Sequence, residues 1–143
     1  MIDFTIERTV QAPIETVFAK FTDHRAYASM TWLRHSTLER EGSPAPNGIG
    51  AIRVSSVVGP PIREEITAYD PPHHFAYGLL SGPLPVRDFV GDVRLDEAGG
   101  TTRMTYHVTA TPLPLVQPVI GPVIKRAIGQ LAKDIARAAE GEA

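Results

Sequence analysis

The feature that most narrows the choice of fold is one long helical pattern at the end of the chain. Between residues 115 and 140, Val123, Ile124, Ala127, Ile128, Leu131, Ile135 and Ala138 recur at three- and four-residue steps, while Lys125, Arg126, Lys133, Asp134 and Arg137 fall on the opposite side. A helix with such a stripe has to bury it. The rest of the chain must therefore supply an apolar surface broad enough to cover the helix along its length.

That surface is expected to be a sheet. Ile2, Phe4 and Ile6 alternate with Asp3, Thr5 and Glu7, the period of a strand with one buried face. Pro13 then stands where a first helical turn tolerates it. Ile14, Val17, Phe18 and Phe21 follow at helical spacing as far as Asp23, with a second short turn near Tyr27, so two small helices are expected after strand one. Six further strands are predicted near 36–41, 50–58, 62–69, 74–81, 88–96 and 101–111. They are divided by Gly42 to Gly48, Gly59-Pro60-Pro61, Asp70-Pro71-Pro72 and Ala98-Gly99-Gly100. Short successive connections imply an antiparallel meander. The expected architecture is α+β: a curved seven-stranded antiparallel sheet wrapped around the C-terminal helix, in one domain spanning 1–143.

Composition excludes several classes of function. Cysteine is absent, which removes disulfides and thiolate chemistry. Fourteen basic residues against sixteen acidic ones, without runs of either, give no footprint for nucleic acid and no polybasic membrane patch. Asp3 and Glu7 stand where a signal peptide would carry its basic start, and no apolar run approaches the roughly 20 residues of a spanning helix. A cytoplasmic protein without stable membrane insertion is the expectation. The five histidines show no metal-ligand spacing, and there is no nucleophile elbow, phosphate loop or dinucleotide glycine pattern, so neither a metal nor a cofactor is expected.

Val10-Gln11-Ala12-Pro13-Ile14-Glu15-Thr16-Val17-Phe18 leads to Asp23, Gly50 stands with Arg53, Glu64 precedes Asp70-Pro71-Pro72, and Gly100-Thr101-Thr102-Arg103-Met104-Thr105-Tyr106 follows. Taken in order, these strings resemble those of the START and birch-pollen-allergen superfamily (SRPBCC), in particular the bacterial polyketide cyclase/dehydrase-like proteins. The resemblance covers nearly the whole chain. It implies a helix-grip fold that holds lipids, polyketides, hormones or steroids between the sheet and the last helix. Fold carries across such a superfamily better than chemistry does.

Strand parity gives the candidate site. A turn pairing Val58 with Pro61 would set Ser55 opposite Glu64 and Arg53 opposite Ile66 on one face, making Arg53 and Glu64 near neighbours. Similarity to the plant abscisic-acid receptors of the same superfamily implies that Glu64 lies in the ligand cavity. A buried carboxylate is costly unless paired, and Arg53 is its expected partner; a cross-strand salt bridge on the solvent face is the alternative. Phe75, Tyr77 and Leu79 share a face, as do Phe89, Gly91 and Val93, and both sets are expected to line the cavity with Leu131 of the helix. Gly91 marks either a close approach by a ligand or backbone, or a bend in the sheet. In the last strand either the set containing Met104 and Tyr106, or Thr105 and His107, faces inward, a bulge being enough to exchange them. Trp32 is expected at the mouth, beside apolar loops stiffened by proline at 59–61, 83–86 and 112–116.

Three functions fit these residues. The first is a carrier or sensor for a small hydrophobic ligand. The second is an enzyme of the cyclase or dehydratase type, with Glu64, Tyr77 or His107 exchanging protons; a carboxyl beside arginine is expected to have a lowered pKa, which makes it a poor acid. The third is an interaction module using the apolar loops, with which a homodimer is compatible.

Overall fold

The computed structural model describes residues 1–23, 35–56 and 60–141. Strand β1 (Ile2–Val10) is followed by helix α1 (Ile14–Thr22) and then by β2 (His35–Arg40), β3 (Ile52–Ser56), β4 (Ile62–Asp70), β5 (His74–Ser81), β6 (Val86–Ala98) and β7 (Thr101–Pro112). A 3-10 turn at Pro114–Val116 leads into helix α2 (Gln117–Glu140). The second small helix expected near Tyr27 lies outside the described residues.

The strands form one antiparallel sheet in the order β1-β7-β6-β5-β4-β3-β2. Consecutive strands from β2 to β7 are neighbours, as short connections require, while β1 closes against β7 at the far edge. This is the helix-grip α+β arrangement that the pattern of strands and helices implies. The β1 and β7 registers run unbroken from Ile2 opposite Ala110 to Val10 opposite Thr102. With no bulge in that ladder, parity holds along β7, and Met104, Tyr106, Val108 and Ala110 all point into the core.

The stripe on α2 is buried unevenly. Ile120, Ile124, Ala132, Ile135, Ala136 and Ala139 are buried, whereas Ile128 and Leu131 in the middle are only partly covered. The helix approaches β1, β7 and α1 closely. Helix α1 contributes Ile14, Val17, Phe18 and Phe21 to the same core, and the Phe18, Phe21 and Phe75 rings pack edge to face or tilted. One half of the sheet thus holds the helix, and space remains beneath its middle on the side of β3, β4 and β5. Pro122, one turn into α2, lacks the N–H that would bond residue 118, which loosens the helix near that space.

Strand β6 starts at Val86 and carries a register break between Arg87 and Val90 against β7, with Asp88 at φ 54°. Aspartate tolerates this left-handed conformation better than most residues. The bulge allows Val86 to pack on the core while Phe89, Gly91, Val93 and Leu95 continue inward.

The connection between β3 and β4 is longer than a tight turn, so Ser55 pairs with Ile62 and Arg53 with Glu64. The expected register is corrected by two residues. A shift of two keeps each side chain on its face, and it brings Arg53 directly opposite Glu64 instead of diagonal to it.

Candidate functional site

A cavity of about 130 Å³ lies between the sheet and the middle of α2. Its walls are Ile62, Leu79, Leu84 and Phe89 from the sheet and the β5–β6 loop, and Val123, Ile124, Ala127, Ile128 and Leu131 from the helix. Ser55, Glu64 and Tyr77 supply its polar atoms. Val123 is half exposed and Leu84 partly so, which places the opening between the β5–β6 loop and the first half of α2. Beside that loop, the Leu113 N–H donates to the Pro85 carbonyl at 3.0 Å, so two of the proline-stiffened loops are tied together.

Arg53 is the largest fully buried side chain. Its Nη1 donates to the Phe21 carbonyl at 2.9 Å, its Nη2 is 3.5 Å from Glu64 Oε1, and its guanidinium carbon stands 5.7 Å from the centre of the Tyr77 ring. Phe21 lies in the last turn of α1, where the helix dipole places partial negative charge. The cation therefore has three sources of stabilisation: a helix C-terminus, an aromatic face and a carboxyl group.

This division governs Glu64. Burial pushes its carboxyl up from the ordinary carboxylate range, and the opposing pull of Arg53 is the smaller effect. The expected lowering is thereby corrected: burial outweighs Arg53, whose contact with Glu64 is long and whose short hydrogen bond goes to Phe21. The solvent face shows the opposite case. There Arg63 donates two hydrogen bonds to Glu39, at 2.8 and 2.6 Å, and holds that exposed carboxyl below its usual range. The solvent-face alternative for the Arg53 and Glu64 pair is excluded by its inward, buried position.

Six of the sequence-predicted site residues meet at the cavity: Ser55, Glu64, Tyr77, Leu79, Phe89 and Leu131. Arg53 sits behind Glu64 and Tyr77. Tyr106 is buried, its hydroxyl hydrogen-bonded to that of Tyr77. Gly91 is where it is because Tyr77 lies across it: a Cβ there would overlap the ring. Neither a ligand nor a backbone, but a neighbouring aromatic side chain, makes the close approach. His107 is half exposed on the outer face, with Nε2 2.8 Å from Asp3 Oδ1, and is not brought to the cavity. Unbroken parity along β7 is the reason. Trp32 lies outside the described residues.

Ile62, Val123, Ile124, Ala127 and Ile128 also line the cavity and are not among the residues assigned to it from sequence, whereas Leu84 belongs to the 83–86 loop expected at the mouth. Val123 and Ala127 stand eight and four residues before Leu131, a helical step that marks the same face. The signal is present in the stripe.

Among the described residues no group of three histidine, aspartate or glutamate side chains is placed to hold a metal ion, and no helix is long and apolar enough to cross a membrane.

A seven-stranded sheet gripping a C-terminal helix over an apolar cavity defines a member of the START and birch-pollen-allergen superfamily. Within it, the chain belongs to the family described as polyketide cyclase / dehydrase and lipid transport, whose model matches residues 1–140. Similar solved structures include the protein XoxI from Bacillus cereus, at 14% identity and a TM-score of 0.77, covering 97% of this chain and 96% of that one. Major latex-like protein 151 from Panax ginseng is similar at 17% identity and a TM-score of 0.76, covering 98% and 95%. The di-domain ARO/CYC StfQ of the steffimycin biosynthetic pathway is similar at 14% identity and a TM-score of 0.77, over 98% of this chain and 49% of StfQ. At these identities the likeness concerns the fold. No curated protein matches the chain.

Proposed function

We propose that this chain, as a single domain spanning 1–143, binds a small hydrophobic molecule between the sheet and α2 and serves as its carrier or sensor. The observation that carries this reading is the cavity: apolar walls from both layers, with a few polar atoms gathered on β3, β4 and β5. Membership of a family described by lipid transport and polyketide chemistry supports it. An apolar reporter dye should bind with micromolar affinity, almost independently of salt, and should be displaced by hydrophobic competitors but not by nucleotides. Steep salt dependence, or no dye bound by folded protein, would favour an interaction module instead.

A second reading is supported by Glu64. A carboxyl shifted toward its neutral form is suited to giving a proton to a bound substrate, the role a cyclase or dehydratase acid performs. Turnover of aromatic polyketide intermediates by the wild type, and its loss in Glu64→Gln, would establish that role. No turnover by the wild type removes it.

A further inference from the structure

The chemistry of the cavity narrows the ligand, and the argument rests on the cavity-binding reading. Pockets for drug-sized ligands are about 300–1,000 Å³, whereas an engineered cavity of about 150 Å³ lined by aliphatic and aromatic groups takes up benzene. The cavity here, near 130 Å³, is of the second kind. Its size suits one ring and not a fused system or an extended acyl chain.

Polarity narrows it further. Ser55 is 2% exposed, lines the cavity, and its Oγ has no hydrogen-bond partner among the described residues. A buried hydroxyl left in this state is costly, and the cost is relieved by whatever brings it a partner. Glu64 projects from the next strand on the same inward face, diagonal to Ser55 in the register. Arg53, the nearest cation, stands behind Glu64 and Tyr77 and is not among the lining residues, so an anion entering the cavity would lose its hydration without a direct ion pair.

We infer that the site takes a neutral molecule of about one ring carrying a single hydroxyl or carbonyl, whose oxygen hydrogen-bonds Ser55 Oγ while the ring rests among Leu79, Phe89, Ile128 and Leu131. Serine can donate to a carbonyl or accept from a hydroxyl, so both groups are admitted. Burial favours the protonated Glu64 carboxyl, which can likewise donate or accept toward the same oxygen.

Calorimetric titration of the full chain with 4-methylphenol, toluene, 4-methylbenzoate and palmitate separates these features. The expected result is that 4-methylphenol binds on the order of tenfold more tightly than toluene, the difference one buried hydrogen bond makes, and more tightly still than 4-methylbenzoate. Ser55→Ala should bring the affinities for 4-methylphenol and toluene close together. Equal affinities for 4-methylphenol and toluene, tighter binding of 4-methylbenzoate, or an unaltered preference in Ser55→Ala would overturn the inference. So would binding of palmitate or a polycyclic dye alone, an outcome that leaves the cavity-binding reading standing. Absence of binding by every probe and by the dye would overturn both. The wild-type comparison does not depend on the variant folding.

Discussion

Arg53 and Glu64 face each other across β3 and β4, yet the arginine gives its short hydrogen bond to the Phe21 carbonyl and stands 3.5 Å from the glutamate. The pair is consequently a weak ion pair in a dry place. A carboxyl whose folded-state pKa lies above its unfolded value adds stability at pH below the unfolded value and loses that contribution as pH rises through the folded one. Glutamine resembles the protonated carboxyl in shape and does not ionise. In urea denaturation, the unfolding free energy of Glu64→Gln relative to wild type should therefore improve as pH rises from the acid side of the carboxylate range to neutrality. A difference that moves the other way would show that Arg53 dominates Glu64.

Gly91 and the Tyr77 ring occupy adjoining space, so a methyl group at 91 must displace the ring. Gly91→Ala should cost about 1–3 kcal/mol, the usual range for overpacking a core. Replacing Tyr77 by leucine in the same chain should recover part of that loss, since the ring atoms in conflict are gone. Chemical denaturation of the two single variants, the double variant and wild type checks this. If Tyr77→Leu and Gly91→Ala simply add, the two positions do not compete for space.

Leu131 and Ile135 stand one helical turn apart on α2, and only the first borders the cavity. Ile135 is fully buried, and its change to alanine should fall toward the upper end of the ~2–5 kcal/mol range for large-to-small core substitutions. Leu131→Ala should cost about 2 kcal/mol or less, because the side chain is already incompletely packed. It should also allow larger apolar probes to bind. Comparable losses at the two positions would place Leu131 in closed core.

His107 belongs to the outer surface, paired with Asp3 from β1. An exposed pair of this kind contributes about 0–1 kcal/mol. His107→Ala should lie within that range and leave ligand affinity unchanged, as measured by dye displacement. A marked loss of affinity would require the inward face of β7 to be reassigned.

Much of the fold is legible in the sequence because the relevant signals are local. Alternation in Ile2, Phe4 and Ile6, and the proline and glycine clusters between strands, depend only on near neighbours. The identity of the gripped helix follows from a stripe long enough to need a sheet to cover it. Features set by distant contacts are not legible in this way. The register of Arg53 against Glu64 turns on the length of the β3–β4 connection, and the direction of the Glu64 shift depends on how completely the assembled layers bury it. Gly91 announces a close approach without naming the neighbour, because Tyr77 comes from the adjacent strand. The orientation of His107 depended on an uninterrupted ladder, which a sequence pattern leaves open.

The Tyr77 ring lying across Gly91 also bears on how such a chain can diverge. On the side of β6 the inner volume is bounded by a side chain laid over a bare stretch of backbone, so its extent there is set by a plug and not by the spacing of the strands. Shortening that one side chain would widen the chamber toward β6 with every ladder kept. A lineage with this arrangement can pass from small to larger guests through changes at a single residue, while the scaffold that holds the helix is inherited intact.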